Sequence, residues 1–109
     1  MAADPVLTDE MRAALFGLPG YQEKKMFGGI CWMVNGHLLC CTRGDRYMFR
    51  VGKENEARWR QLPGVTPVEG PRKSMPGYIW VDGAHATGPG LETWVNRALA
   101  FVQLLPPKM

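Results

Sequence analysis

Three cysteines, Cys31, Cys40 and Cys41, are the residues of this 109-residue chain best placed for chemistry. Asn35-Gly36 lies between two apolar runs, Gly29 to Val34 and His37 to Thr42, the signature of a two-residue hairpin. Counting outward from a type I′ turn, Val34 faces His37, Met33 faces Leu38, Trp32 faces Leu39 and Cys31 faces Cys40. Opposed residues in a non-hydrogen-bonded antiparallel pair have Cα atoms about 4.5 Å apart, within disulfide reach. Such a pair allows a cross-strand disulfide or one edge of a zinc site. Zinc requires four ligands, and no C-x-x-C or H-x-x-x-H spacing supplies the others. An odd cysteine count also argues against a disulfide framework. The favoured expectation is reduced thiols buried as small hydrophobes, with a redox-responsive Cys31/Cys40 pair as the alternative.

The remaining reactive types are sparse. His37 follows a hairpin turn and His85 sits between two alanines, both solvated contexts, and no acidic pair stands out for general acid–base work. Gly28-Gly29 lacks the context of a phosphate loop, because a strand follows it; a bulge or tight strand entry is expected. Arg43-Gly44-Asp45 is explained as a turn. No catalytic residue, metal ligand or cofactor site is therefore expected, and the chain is read as non-enzymatic. Basic residues cluster at Lys24-Lys25, Arg43 with Arg46, Arg58 with Arg60, and Arg72-Lys73. Nucleic-acid binding through Lys24, Lys25, Arg72 and Lys73 requires the fold to gather several of these clusters on one side. Solvated faces, with weak or no direct nucleic-acid binding, are the expectation. Trp32, Trp59 and Trp94 fall at core positions and do not form a stacking platform.

The elements that must position these residues follow from periodicity. Thr8 is placed to cap a first helix, with Asp9 and Glu10 in its first turn, and Leu7, Met11, Ala14, Leu15 and Leu18 form its stripe. Pro19-Gly20 ends it. After the hairpin, Tyr47, Phe49 and Val51 alternate with Arg46, Met48 and Arg50 in a third strand. Lys53 to Leu62 reads as a short helix, Val65 to Val68 as a short strand, Glu69 to Gly77 as a loop and Tyr78 to Val81 as a strand. Ala84 to Gly90 reads as a loop before the clearest helix, where Leu91, Trp94, Val95, Ala98, Leu99, Val102 and Leu105 recur at helical spacing. The predicted order is α-β-β-β-α-β-β-α. This gives one α+β domain over residues 1–109, two-layered, with an antiparallel sheet of about five strands and helices on one face. Both faces of the hairpin are apolar, so the face away from the helices is expected to meet a partner or a second copy of the chain.

An apolar fraction of 46% and a charged fraction of 21% exclude a disordered chain. No apolar run reaches the roughly 18 residues of a membrane span. The acidic, proline-containing start does not resemble a signal peptide, so a reducing cytoplasm is the expected setting. A net charge of +3 leans only mildly toward acidic partners.

Lys25-Met26-Phe27-Gly28-Gly29, then Val34-Asn35-Gly36 and Arg50-Val51-Gly52, resembles the opening of the TfoX (Sxy) N-terminal domain family. Leu62-Pro63-Gly64, Met75-Pro76-Gly77-Tyr78, Trp94-Val95, Ala98-Leu99-Ala100-Phe101 and Leu105-Pro106-Pro107-Lys108 follow in the order seen in its short stand-alone members, which lack the C-terminal helical domain of the namesake regulators. The resemblance spans about Leu7 to Lys108. It implies a compact α+β domain without enzymatic activity, associated with bacterial competence and transcription regulation. It also implies a protein partner of the transcription-regulator kind. The candidate interaction surface it suggests comprises Lys25, Met26, Phe27, Gly28, Gly29 and Arg50.

Overall fold

The computed structural model describes residues 5–16, 18, 21–26, 29–59, 61–69, 74–86 and 89–105. Its elements are α1 (Pro5–Leu15), β1 (Tyr21–Met26), β2 (Gly29–Val34), β3 (His37–Arg43), β4 (Arg46–Arg50), α2 (Lys53–Trp59), β5 (Val65–Glu69), β6 (Ser74–Asp82), α3 (Gly83–Ala86) and α4 (Pro89–Val102). The strands form one antiparallel sheet in the order β1-β2-β3-β4-β6-β5. The α+β architecture with helices on one side holds, with six strands in place of about five.

The hairpin turn forms as its sequence dictates. Asn35 and Gly36 both adopt positive φ, 54° and 83°, the requirement of a type I′ turn. At the β3–β4 turn only Gly44 is left-handed, with φ 59°, the glycine-first pattern of the type II′ class. α1 begins earlier than expected, at Pro5, a residue suited to a first helical turn. Thr8 is therefore not a cap: it is buried inside the helix, its hydroxyl 3.2 Å from that of Thr42 on β3. The sixth strand, β1, has the sequence YQEKKM, which lacks the apolar alternation that announces a half-buried strand. Its charges suit an exposed sheet edge. β6 begins at Ser74, within the stretch read as a loop, and a one-turn α3 occupies part of the second expected loop.

The helix-side core joins Met11 and Leu15 of α1, Trp32 and Leu39 of the hairpin, and Tyr47, Phe49 and Val51. Ile79, Val81 and the Leu91, Trp94, Val95, Ala98 and Val102 stripe of α4 complete it. Phe49 stacks on Trp94 at 5.8 Å, and Trp59 of α2 meets Trp94 edge-on at 6.3 Å. Polar ties cross the layers as well: besides the Thr8–Thr42 contact, the Tyr47 hydroxyl donates to the Leu7 carbonyl at 3.1 Å, and an ion pair joins α1 to β1. Arg12 of α1 donates from Nε and a terminal nitrogen to the two carboxylate oxygens of Glu23 on β1, at 2.8 and 2.7 Å. The Trp32 indole N–H donates to the same carboxylate at 3.1 Å. This bidentate pair holds edge strand β1 against α1.

Register decides which side chains share a face. Met33 pairs with Leu38 and Val34 with His37, as counted from the turn, but beyond them Trp32 pairs with Cys40 and Cys31 with Cys41. Leu39 is the extra residue of a β-bulge, and Leu39 and Cys40 both enter the helix-side core. A bulge moves every later residue of its strand to the opposite face. Cys40 and Cys41 therefore exchange the faces expected of them. Gly29 confirms the tight strand entry, because a Cβ there would collide with the Thr42 carbonyl of β3.

Candidate functional site

The bulge overturns the Cys31/Cys40 pair. Cys31 and Cys41, with Cα atoms 4.0 Å apart, are joined as a disulfide across β2 and β3. The expectation of reduced thiols thus holds only for Cys40. That thiol is fully buried, donates to the Met11 sulfur at 3.7 Å, and has its pKa pushed far up by burial in apolar surroundings. It is protonated and inert at neutral pH. His37 is buried at the start of β3 rather than solvated, and the side chain of His85 lies outside the described set. Among the described residues no group of three His, Cys, Asp or Glu side chains is placed to hold a metal ion. No described helix is long and apolar enough to cross a membrane.

The helix-free face of the sheet carries the more distinctive arrangement. A row runs across all six strands: Lys24, Cys31, Cys41, Met48, Trp80 and Thr66. On one side of it lie Arg43, Arg46 and Asp82, and on the other Met33 with Leu38 and Arg50 with Tyr78. Cys31, Cys41, Met48 and Val68 are buried within this layer, and Leu38, Tyr78 and Trp80 pack on them half-exposed. The Arg46 guanidinium lies 4.0 Å from the centre of the Trp80 ring. Among the described side chains of this face, four cations (Lys24, Arg43, Arg46, Arg50) stand against one carboxylate, Asp82. The sequence shows the Arg46, Met48, Arg50 alternation. It does not show that Trp80 and Tyr78 are the neighbours, because their strand lies some thirty residues further along the chain.

The described members of the suggested interaction surface lie at two ends of the sheet. Lys25 is exposed on β1, and Met26 pairs with Gly29 at the ladder end nearest Arg43 and Arg46; Phe27 and Gly28 lie outside the described residues. Arg50 ends β4 at the opposite end of the sheet. Strand spacings of ~4.8 Å and rises of ~3.3 Å per residue put Gly29 and Arg50 roughly 15 Å apart. Of the nucleic-acid set only Lys24 and Lys25 are described, and they do not share a face. Lys24 faces the helix-free side and Lys25, its neighbour in an extended strand, the other; Arg72 and Lys73 lie outside the described residues.

Arg50 instead borders a cleft of about 600 Å³ at the end of the sheet, between the start of α2 and the end of α4. Its guanidinium carbon is 5.5 Å from the Tyr78 ring centre and 5.6 Å from that of Phe101. Lys53 and Asn55 line one wall, and Ala100, Phe101 and Leu104 the other. The floor is backbone: Val51 N and Gly52 N both donate to the Gly77 carbonyl, at 2.8 and 3.1 Å, and Gly77 N donates to Glu56 at 2.7 Å.

An antiparallel sheet with helices on one face, and a basic, aromatic-studded second face, defines an α+β domain with one sheet face left open by its helices. The family follows from the sequence itself. Residues 13–102 match the model of the TfoX N-terminal domain, and the chain belongs to that family. No curated protein and no solved structure matches the chain.

Proposed function

We propose that this chain is a non-enzymatic regulatory docking domain whose helix-free sheet face binds an acidic surface of a protein partner. Membership of the TfoX N-terminal domain family supports the regulator-type reading, and it makes a component of the transcription machinery the natural kind of partner. The observation that carries the reading is the composition of the face. Half-exposed Leu38, Met33, Tyr78 and Trp80 surround a buried sulfur-rich centre, with Arg43, Arg46 and Lys24 around them. Protein interfaces combine an apolar, aromatic centre with a polar rim in this way, and the excess of positive charge selects an acidic counterpart.

Two other occupants fit less well. A nucleic acid would stack its bases on exposed rings, but Arg46 covers the face of Trp80. A second copy docking through the same face would bring like charges together, because an isologous contact repeats every residue on both sides.

The test is affinity capture from the source organism's lysate after nuclease treatment, comparing the wild-type chain with an R43E/R46E variant, then titration of the purified partner across salt. An acidic protein held by the wild type should bind the variant about tenfold or more weakly and lose affinity as salt rises. Capture indifferent to the double substitution, or abolished by nuclease, would overturn the reading.

A further inference from the structure

The cleft beside Arg50 adjoins the helix-free face, sharing Arg50 and Tyr78 with it, and has its own chemistry. A half-buried guanidinium is normally paired, yet the ion pairs among the described residues all belong to Arg12. Arg50 is held instead by the rings of Tyr78 and Phe101. Cation–π contacts consume none of the five N–H donors of the side chain, so the planar fork remains available to an anion. Lys53 adds a second cation at the rim; of the nearby carboxylates, Glu54 shares the rim and Glu56 is engaged by the Gly77 N–H at 2.7 Å.

The apolar wall is equally defined. Phe101 lies against Gly52 so closely that a Cβ at that glycine would sit 2.6 Å from the ring. Gly52 and Gly77 hold φ of 90° and 89°, and their paired backbones make a rigid floor. Leu104, 81% exposed, extends the wall outward. A volume of about 600 Å³ lies within the range of small-molecule sites.

We propose that this cleft binds a small amphiphilic anion, its carboxylate or phosphate on the Arg50 fork and a short acyl or aryl group against Phe101 and Leu104. The site does not depend on the docking reading, since its ligand is a small molecule and R43E/R46E, which tests docking, alters none of the residues that line it.

The test follows backbone amide and arginine Nε–H signals of the intact chain by NMR during titration with hexanoate and with phenyl phosphate. Hexanol and inorganic phosphate serve as controls lacking the charge or the apolar group. At least one amphiphile should shift the Gly52, Gly77 and Arg50 signals saturably, about tenfold or more tightly than either control. Which amphiphile binds better identifies the head group. R50Q should weaken binding about tenfold. L104D, at an exposed position that carries no folding risk, should weaken it too by placing a carboxylate at the rim. No saturable shift at Gly52 and Gly77 up to about 20 mM ligand, or equal affinities for wild type, R50Q and L104D, would overturn the proposal.

Discussion

At the scale of single residues, Glu23 and the cysteines carry the sharpest expectations. The Glu23 carboxyl is held below its usual range, chiefly by its hydrogen bonds from Arg12 and further by the guanidinium's charge. A carboxylate whose folded pKa is lowered contributes stability that is complete above its unfolded pKa and lost as pH falls through the folded value. Substitution E23Q should thus cost about 1 kcal/mol at neutral pH, the modest figure reflecting a partly solvated pair. Urea midpoints of wild type and variant should draw together as pH falls below the usual carboxylate range, where the Glu23 carboxyl takes up its proton. An undiminished gap at acid pH would assign the effect to packing. The cysteines separate by face. Thiol reagent should label none of them in the folded, oxidised chain, one (Cys40) on unfolding, and all three after reduction. Reduction should lower stability by about 2 kcal/mol, since the disulfide constrains a short loop of the unfolded chain. Labelling of two or more thiols on unfolding without reductant would rule out the Cys31–Cys41 link.

At the scale of elements, two glycines show how strands and helices are brought to their working distances. Gly29 admits the backbone of β3 and starts the ladder that carries Cys31. Gly52 turns β4 into α2 with positive φ and lets Phe101 approach. Substitution G29A should cost about 3 kcal/mol or prevent folding, because the obstacle is a carbonyl held in the sheet rather than a flexible side chain. G52A should cost about 1–3 kcal/mol from the left-handed backbone and the displaced ring. Thermal unfolding distinguishes them from alanine at an exposed position such as Thr66, expected within about 0.5 kcal/mol of wild type. The bulge at Leu39 is an element-scale device of the same kind. By one inserted residue it sends Cys40 into the helix-side core and Cys41 to the helix-free face.

For the whole molecule, the decisive feature is asymmetry between the two faces of one sheet. One face is sealed by α1 and α4 over a continuous apolar core, while the other leaves four large apolar or aromatic side chains half-exposed among cations. Self-association through the second face is opposed by charge at low salt and relieved by screening. Sedimentation of the chain alone should accordingly show less association at low salt than at high salt. Binding to an acidic partner should show the opposite trend. The self-association trend alone tests pairing through this face without knowledge of the partner. Stronger self-association at low salt would instead require a pairing of opposite charges, and with it a different interface.

Local chemistry controls the part of the fold that was legible along the chain. Asn35-Gly36 specified its turn because only such residues adopt two positive φ angles readily, and the α4 stripe specified a helix packed on one side. From these and the strand alternations the α+β class was legible, and the Lys25–Gly29, Asn35-Gly36 and Arg50–Gly52 motifs pointed to the family that residues 13–102 match. The tertiary structure alone decided the rest. β1 is a strand because β2 offers it a ladder, and not because YQEKKM alternates. The disulfide partner of Cys31 was fixed by a bulge that places both Leu39 and Cys40 beneath the helices. Trp80 and Tyr78 joined Arg46 and Arg50 because β6 pairs with β4 across an intervening helix and strand. The cleft at Arg50 likewise needs the end of α4 to reach Gly52. Pairings between distant segments depend on the free energy of the whole core, and no local pattern records them.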